Sequence, residues 1–173
     1  PLEKAPALRR VIVVALIVSY AFGLAPSLAG AAIKFPAAMG IVPRETYLSE
    51  HVERYTAMAW VDESLPKDAA ILSLDPRGYY FNRTTHTNFE ALKALTQKNY
   101  EDQLKWLRDN HVGYLFYPEK YVNESPAFRV TGVGTMVVAW RVDADHFTLK
   151  MEFQLENPRD GGPERVEIYA LRH

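Results

Sequence analysis

Residues 11–33 read VIVVALIVSYAFGLAPSLAGAAI without one charged side chain, and they constrain the chain more than any other stretch. As a helix such a run is about 34 Å long at about 1.5 Å per residue. That is enough to cross a hydrocarbon core of roughly 30 Å. Arg9 and Arg10 stand immediately before the run and Lys34 immediately after it. Two readings follow. In the first, residues 11–33 are a transmembrane helix, and the basic flank, residues 1–10, stays in the cytoplasm by the positive-inside rule. In the second, Arg9-Arg10 is the basic region of a signal peptide, and Ala29-Gly30-Ala31 is a small-residue cleavage site. Both export what comes next. A buried helix in a soluble core fits this length poorly.

The rest of the chain is ordinary in composition. Of 173 residues 48% are apolar and 24% charged, which suits a globular domain rather than a disordered one. Formal net charge is -1, so no basic excess is present to neutralise phosphates, which argues against a nucleic-acid partner. Residues 1–33 carry Lys4, Arg9 and Arg10 against Glu3, a net of +2, which leaves -3 for the remainder. The absence of cysteine removes disulfides, thiolate nucleophiles and cysteine-type zinc sites. The first residue is Pro1 rather than Met, which reads as a processed product or a piece of something longer.

Pro36, Gly40 and Pro43 make residues 34–45 an irregular linker. Residues 46–173 then read as one domain. Thr46 is placed to cap a helix running to Leu65, with Leu48, Val52, Tyr55 and Ala59 on one face. The run AAILSL over 69–74 predicts a strand buried on both faces. Residues 75–78 turn, 79–81 form a short extended piece, and 82–88 form a polar loop. Helices are predicted over 89–96 and 99–110, the second capped by Asn99 and ended by Gly113. YLFY over 114–117 is a second strand, closed by Pro118. A helical turn falls at 125–129 and a helix at 135–143. Residues 147–155 alternate, with Phe147, Leu149, Met151, Phe153 and Leu155 on one side. NPRDGGP over 157–163 is a turn, and 165–171 alternate again. The expected fold class is α/β. It comprises one transmembrane helix, then a small three-layer domain with two parallel central strands and a C-terminal antiparallel hairpin that closes the sheet.

Candidate chemistry is sparse. Asp143-Ala144-Asp145-His146 contains a D-x-D pair, but it joins an amphipathic helix to a half-exposed strand and reads as a solvated connector. The loop DPRGYYFNR over 75–83 leaves the carboxyl end of the first strand, where ligands collect in open α/β sheets. Arg77 and Arg83 suit a phosphate or carboxylate there, and Tyr79 and Tyr80 suit a sugar face. The competing reading has the tyrosines filling the sheet edge and the arginines solvated. His51, His86, His111, His146 and His173 are scattered with no metal-ligand spacing, so no metal site is assigned. No nucleophile with a base, P-loop or dinucleotide fingerprint is present, so no catalytic residue is assigned. Gly132-Val133-Gly134 is a helix entry at most. Asn82-Arg83-Thr84 and Asn123-Glu124-Ser125 match the glycosylation sequon, the second spoiled by Pro126.

The order of parts carries a resemblance. The apolar span precedes a helix ending Trp60-Val61-Asp62-Glu63-Ser64-Leu65-Pro66, then Asp68-Ala69-Ala70-Ile71-Leu72 and Gly78-Tyr79-Tyr80-Phe81-Asn82-Arg83. Leu107-Arg108-Asp109-Asn110-His111-Val112-Gly113-Tyr114-Leu115 and a terminal Val166-Glu167-Ile168-Tyr169 follow. Over residues 10–171 this resembles the C-terminal end of bacterial GT-C membrane glycosyltransferases, the protein mannosyltransferases and lipid A aminoarabinose transferases. The resemblance implies a parent that moves a sugar from a polyprenyl-phosphate carrier to a lipid, glycan or protein acceptor. It implies a divalent cation for that parent, none within this stretch, and a catalytic carboxylate in an early loop outside it. Its implied partners are the bilayer, the parent's other transmembrane helices, the sugar carrier and the acceptor. Residues 34–173 would face the extracytoplasmic side of the inner (plasma) membrane. The reading from another class is an anchored or secreted binding module with no enzymatic parent. A third is a hydrolase on the 75–83 loop, for which no nucleophile is in sight.

Overall fold

A computed structural model describes residues 6–157 and 161–172. Helix α1, Pro6–Ala38, is 33 residues long. Its stretch Ile12–Ala32 is long and apolar enough to cross a membrane, and none of it is buried. Pro26 lies inside the helix without ending it; such prolines are tolerated in membrane helices because neighbouring groups take up freed carbonyls. Ser27 donates its hydroxyl to the Gly23 carbonyl at 3.3 Å. The helix also runs past Pro36, through the first part of the expected linker, and ends at Ala38, ahead of a turn at Gly40, whose φ of +70 suits a residue without a Cβ. Helix α2, Arg44–His51, follows.

The residues divide into two compact units, Pro1–Leu48 and Ser49–His173. In the second unit, α3 spans Tyr55–Ser64. The continuous helix expected from Thr46 to Leu65 is broken, because Arg54 sits in the left-handed region at φ 65. Leu65 is extended, as a residue before proline prefers, and stops α3. Strand β1, Ala70–Ser73, is buried throughout. A 3-10 turn at Gly78–Tyr80 replaces the expected extended piece. Strand β2, Thr85–His86, is short. Helices α4, Phe89–Leu95, and α5, Tyr100–Asp109, are capped by Asn88 and Asn99 side chains that accept backbone N–H bonds. His111, at φ 55, reverses the chain into β3, Val112–Pro118, so Gly113 lies in the strand and not at the helix end. Helices α6, Glu119–Glu124, α7, Pro126–Thr131, and α8, Val133–Val142, lead to β4, Phe147–Glu156, and β5, Pro163–Leu171. Within the predicted turn at 157–163, Gly161 donates to the Asn157 carbonyl at 2.8 Å, and residues 158–160 lie outside those described.

The sheet order is β2-β1-β3-β5-β4. β1 runs parallel to both β2 and β3, and β5 is antiparallel to β3 and β4. The α/β class and terminal hairpin are as expected, with β2 adding a third parallel strand. Side chains alternate across the sheet. Leu72, Leu115, Tyr117, Tyr169 and Leu171 pack with α4 to α8 on one face. Ile71, Phe116, Val166 and Ile168 pack with Ala57, Met58 and Val61 of α3 on the other. Three layers result. β4 does not keep one side throughout. Its pairing with β5 slips between Leu149 and Met151, leaving Lys150 as an extra residue. A bulge of this kind switches faces. Phe147 therefore joins the first core, whereas Met151, Phe153 and Leu155 join the second.

The larger core holds one polar joint. Gln103 donates to the carbonyls of Leu95 and Lys98 at 3.2 and 3.0 Å and accepts from the indole of Trp140 at 3.0 Å. Trp140 is fully buried and stacks on Phe147 with ring centroids 5.9 Å apart. Trp140→Ala should cost about 3–5 kcal/mol, a large-to-small change in a packed core. Trp140→Phe, which leaves the Gln103 carbonyl unpaired, should cost about 1–3 kcal/mol. Urea unfolding of the chain in detergent micelles, followed by circular dichroism, measures both. A Trp140→Phe variant as stable as the wild type would mean that the bond to Gln103 contributes nothing.

Candidate functional site

The carboxyl ends of β1 and β3 are where the parallel part of the sheet opens. The chain leaves β1 toward β2 on one side and leaves β3 for α6, α7, α8 and the hairpin on the other. Connections that diverge in this way leave a crevice between the strand ends. This end of the sheet holds a buried charge cluster and, beside it, a small cleft.

Arg54 is the centre of the cluster and is only 5% exposed. Its Nε donates to Asp75 at 2.5 Å and one terminal nitrogen to Glu164 at 2.6 Å. The other lies 3.1 Å from Glu53, and the guanidinium sits 5.4 Å from the Tyr121 ring centre. Arg77 closes the group from outside, with Nε on Asp75 at 3.1 Å, a terminal nitrogen on Glu53 at 2.7 Å and its backbone N–H on Asp75 at 2.8 Å. Two arginines thus face three carboxylates. Asp75 and Glu164 are each 1% exposed. Burial pushes both carboxyls above their ordinary range; Arg54 pulls them back and the charge of Glu53 pushes them up again.

The sequence-predicted residues are placed as follows. Arg77 belongs to this cluster. Arg83 bonds Asp62 at 3.0 Å and the carbonyls of Pro66 and Leu65 at 2.8 and 3.4 Å, so it caps the far end of α3. Glu53 precedes this helix and Asp62 lies in its last turn, so the two arginines serve opposite ends of it. Tyr79 is 73% exposed and lies 4.6 Å from Tyr80, which packs edge-on against Tyr55 at 5.9 Å. In the D-x-D segment, Asp143 accepts from the backbone of Asp145 and His146, from the Tyr100 hydroxyl and at 2.7 Å from His146 Nδ1. The Tyr100 bond, ahead of these others, lowers the Asp143 pKa to about 2. Asp143 is a cap for the start of the next turn. Among the described residues no group of three or more histidine, aspartate or glutamate side chains is disposed to hold a metal ion.

The cleft has a volume of about 160 Å³ and is lined by residues after β1 (Ser73 to Pro76), after β2 (Thr87, Phe89) and after β3 (Tyr121, Ser125, Phe128). Gly78 lets these walls close, since a Cβ there would meet the Thr87 methyl at 2.3 Å. Sequence reasoning found this strand end but not Arg54 or Tyr121. Neither carries a local signal, because their partners are remote in sequence.

No protein-family model matches the chain. No curated protein matches it. Among solved structures, the C-terminal globular domain of an oligosaccharyltransferase from Archaeoglobus fulgidus is similar, at 19% identity and a TM-score of 0.45, over 68% of this chain and 96% of that one.

A carboxyl whose pKa is raised on folding keeps its proton longer in the folded state. The stability it contributes is present at low pH and is lost as pH rises. Glu164→Gln mimics the protonated form. The wild-type chain should therefore lose stability relative to Glu164→Gln as pH rises above the ordinary glutamate pKa of about 4.3. Paired urea titrations from that pH upward check the sign; a wild type that gains on the variant would show that Glu164 is ionised more easily when folded.

Proposed function

We propose that this chain is the C-terminal, non-catalytic part of an integral-membrane GT-C glycosyltransferase, made of its last transmembrane helix and an extracytoplasmic α/β domain. The observation that carries the reading is the joining, in one chain, of an exposed apolar helix and an α/β domain with this order of motifs. Ile12–Ala32 has the length of a span and buries none of it. The basic pair Arg9-Arg10 in front of it assigns that flank to the cytoplasm and residues 34–173 to the outer side of the plasma membrane. The domain boundaries that go with this are 1–10 for the flank, 11–33 for the span, 34–45 for the connection and 46–173 for the domain. On this reading the parent protein uses a polyprenyl-phosphate-linked sugar and a divalent cation held elsewhere in its chain.

The domain then acts as a rigid body. Arg77 and Arg83 serve that rigidity, tying the 75–83 loop to both ends of α3. Tyr79, exposed on the same loop, is the side chain of that set left to meet an acceptor or carrier.

The absence of cysteine makes the topology directly measurable. A single cysteine at Lys98, on the domain surface, should react with a membrane-impermeant maleimide added to intact cells from which any outer envelope has been removed. A single cysteine at Glu3 should react only after lysis. Both proteins should stay in the membrane pellet through carbonate extraction. Release by carbonate would sink the span, and the reverse labelling would sink the orientation. Transfer of sugar from a polyprenyl-phosphate donor by membranes holding the whole gene product, and its absence with residues 1–173 alone, tests the parentage.

A further inference from the structure

We propose that the cleft between the carboxyl ends of β1 and β3 is a binding subsite for a single neutral pyranose ring. The proposal goes beyond the reading above and stands without it, since it rests on the cleft's own chemistry.

The lining excludes anions. It contains no lysine, arginine or histidine, and its one charged group is Asp75. Arg54 and Arg77 approach that carboxylate and are held there by other carboxylates as well. A phosphate or carboxylate entering the cleft would meet Asp75 with no cation of its own, an uncompensated burial of charge. The lining is not simply greasy either. Phe89, Tyr121 and Phe128 supply ring surface, with Phe89 and Tyr121 each edge-on to Phe128 at 5.5 and 5.7 Å. Mutual edge-on packing fixes the rings without a ligand. Three hydroxyl-bearing residues, Thr87, Tyr121 and Ser125, line the cleft with them. Among the described residues these three make no hydrogen bond through their side chains, whereas Ser73 is committed to the backbone of Asp75.

A pyranose presents this combination in mirror image: a face of C–H groups for aromatic walls and a rim of hydroxyls that both donate and accept. A plain aromatic ligand would leave the hydroxyls unpaired. Size selects one ring. The cleft, at about 160 Å³, is well below the roughly 300–1,000 Å³ of sites for drug-sized ligands. Its position at diverging strand connections is where the fold leaves room for a ligand.

The ring could arrive free, as the end of a soluble glycan, or on a lipid, and the test distinguishes these. The full chain in phosphatidylcholine nanodiscs is titrated with methyl β-glucopyranoside, methyl α-mannopyranoside and octyl β-glucopyranoside, and with glucose 1-phosphate and p-cresol as controls. Binding is read by saturation-transfer NMR. At least one neutral pyranoside should saturate with a Kd on the order of 1 mM, as expected for so small a ligand. A preference for the octyl glycoside of tenfold or more assigns a lipid source, and equal affinity a soluble one; both support the subsite. Glucose 1-phosphate should bind at least tenfold more weakly. Ala127→Phe, at an exposed position on the cleft wall, should abolish binding with an unchanged circular dichroism spectrum. Thr87→Val, which keeps shape and loses one hydroxyl, should weaken it about fivefold. No saturable pyranoside binding would overturn the proposal. So would binding that ignores Ala127→Phe, or saturation by p-cresol alone.

Discussion

Arg54 is the interaction on which the domain's geometry depends. Its guanidinium joins three chain segments that are far apart in sequence: the kink before α3, the end of β1 at Asp75 and the start of β5 at Glu164. A lysine could not do this. A point charge meets one or two carboxylates, whereas a planar fork reaches several in fixed directions. The backbone bears part of the cost. A non-glycine residue in the left-handed region gives up about 1–2 kcal/mol, and desolvating the charges adds several more. Such an arrangement persists only because the partners are themselves fixed by strands. It is therefore better understood as setting geometry than as adding net stability.

A second charge centre lies farther along β5. Glu167 accepts from Arg141 at 2.5 Å, from Arg165 at 2.9 Å and from the Tyr169 hydroxyl at 2.8 Å, and Arg141 lies 4.2 Å over the Tyr117 ring. Together the two centres engage Arg54, Arg77, Arg141 and Arg165, all toward the carboxyl end of β3, where β5 begins. This end of an α/β sheet usually offers its cations to ligands. Here the cations are committed to internal carboxylates, and the cleft beside them is left with hydroxyls and rings. Charge accounting, more than shape, is what distinguishes this site from a phosphate-binding one.

What was legible in the sequence follows from how local each cause is. The buried run at 69–74, the Asn99 cap and the terminal hairpin are set by nearest neighbours, and the expected elements match the fold. The break at Arg54 is set by partners 21 and 110 residues away. The stretch around it has helical spacing and neither glycine nor proline, so nothing local announces a kink. The bulge at Lys150 is similar: perfect alternation over Phe147 to Leu155 gives no sign that the strand must serve two cores. The 75–83 loop was located correctly at the end of β1. The fate of Arg77 and Arg83 was not readable, because an arginine's role depends on whether a carboxylate stands within reach, and Glu53 and Asp62 lie on another element.

The same remoteness bears on how a domain without cysteine holds together. Disulfides normally staple exported domains whose cores are small. This domain has no such staple, and its long-range links are instead two packed cores and the charge centres. Links of that kind respond to the medium as disulfides do not. Because Asp75 and Glu164 hold their protons more readily when buried, protonation relieves the excess of carboxylates over arginines around Arg54 instead of breaking the cluster.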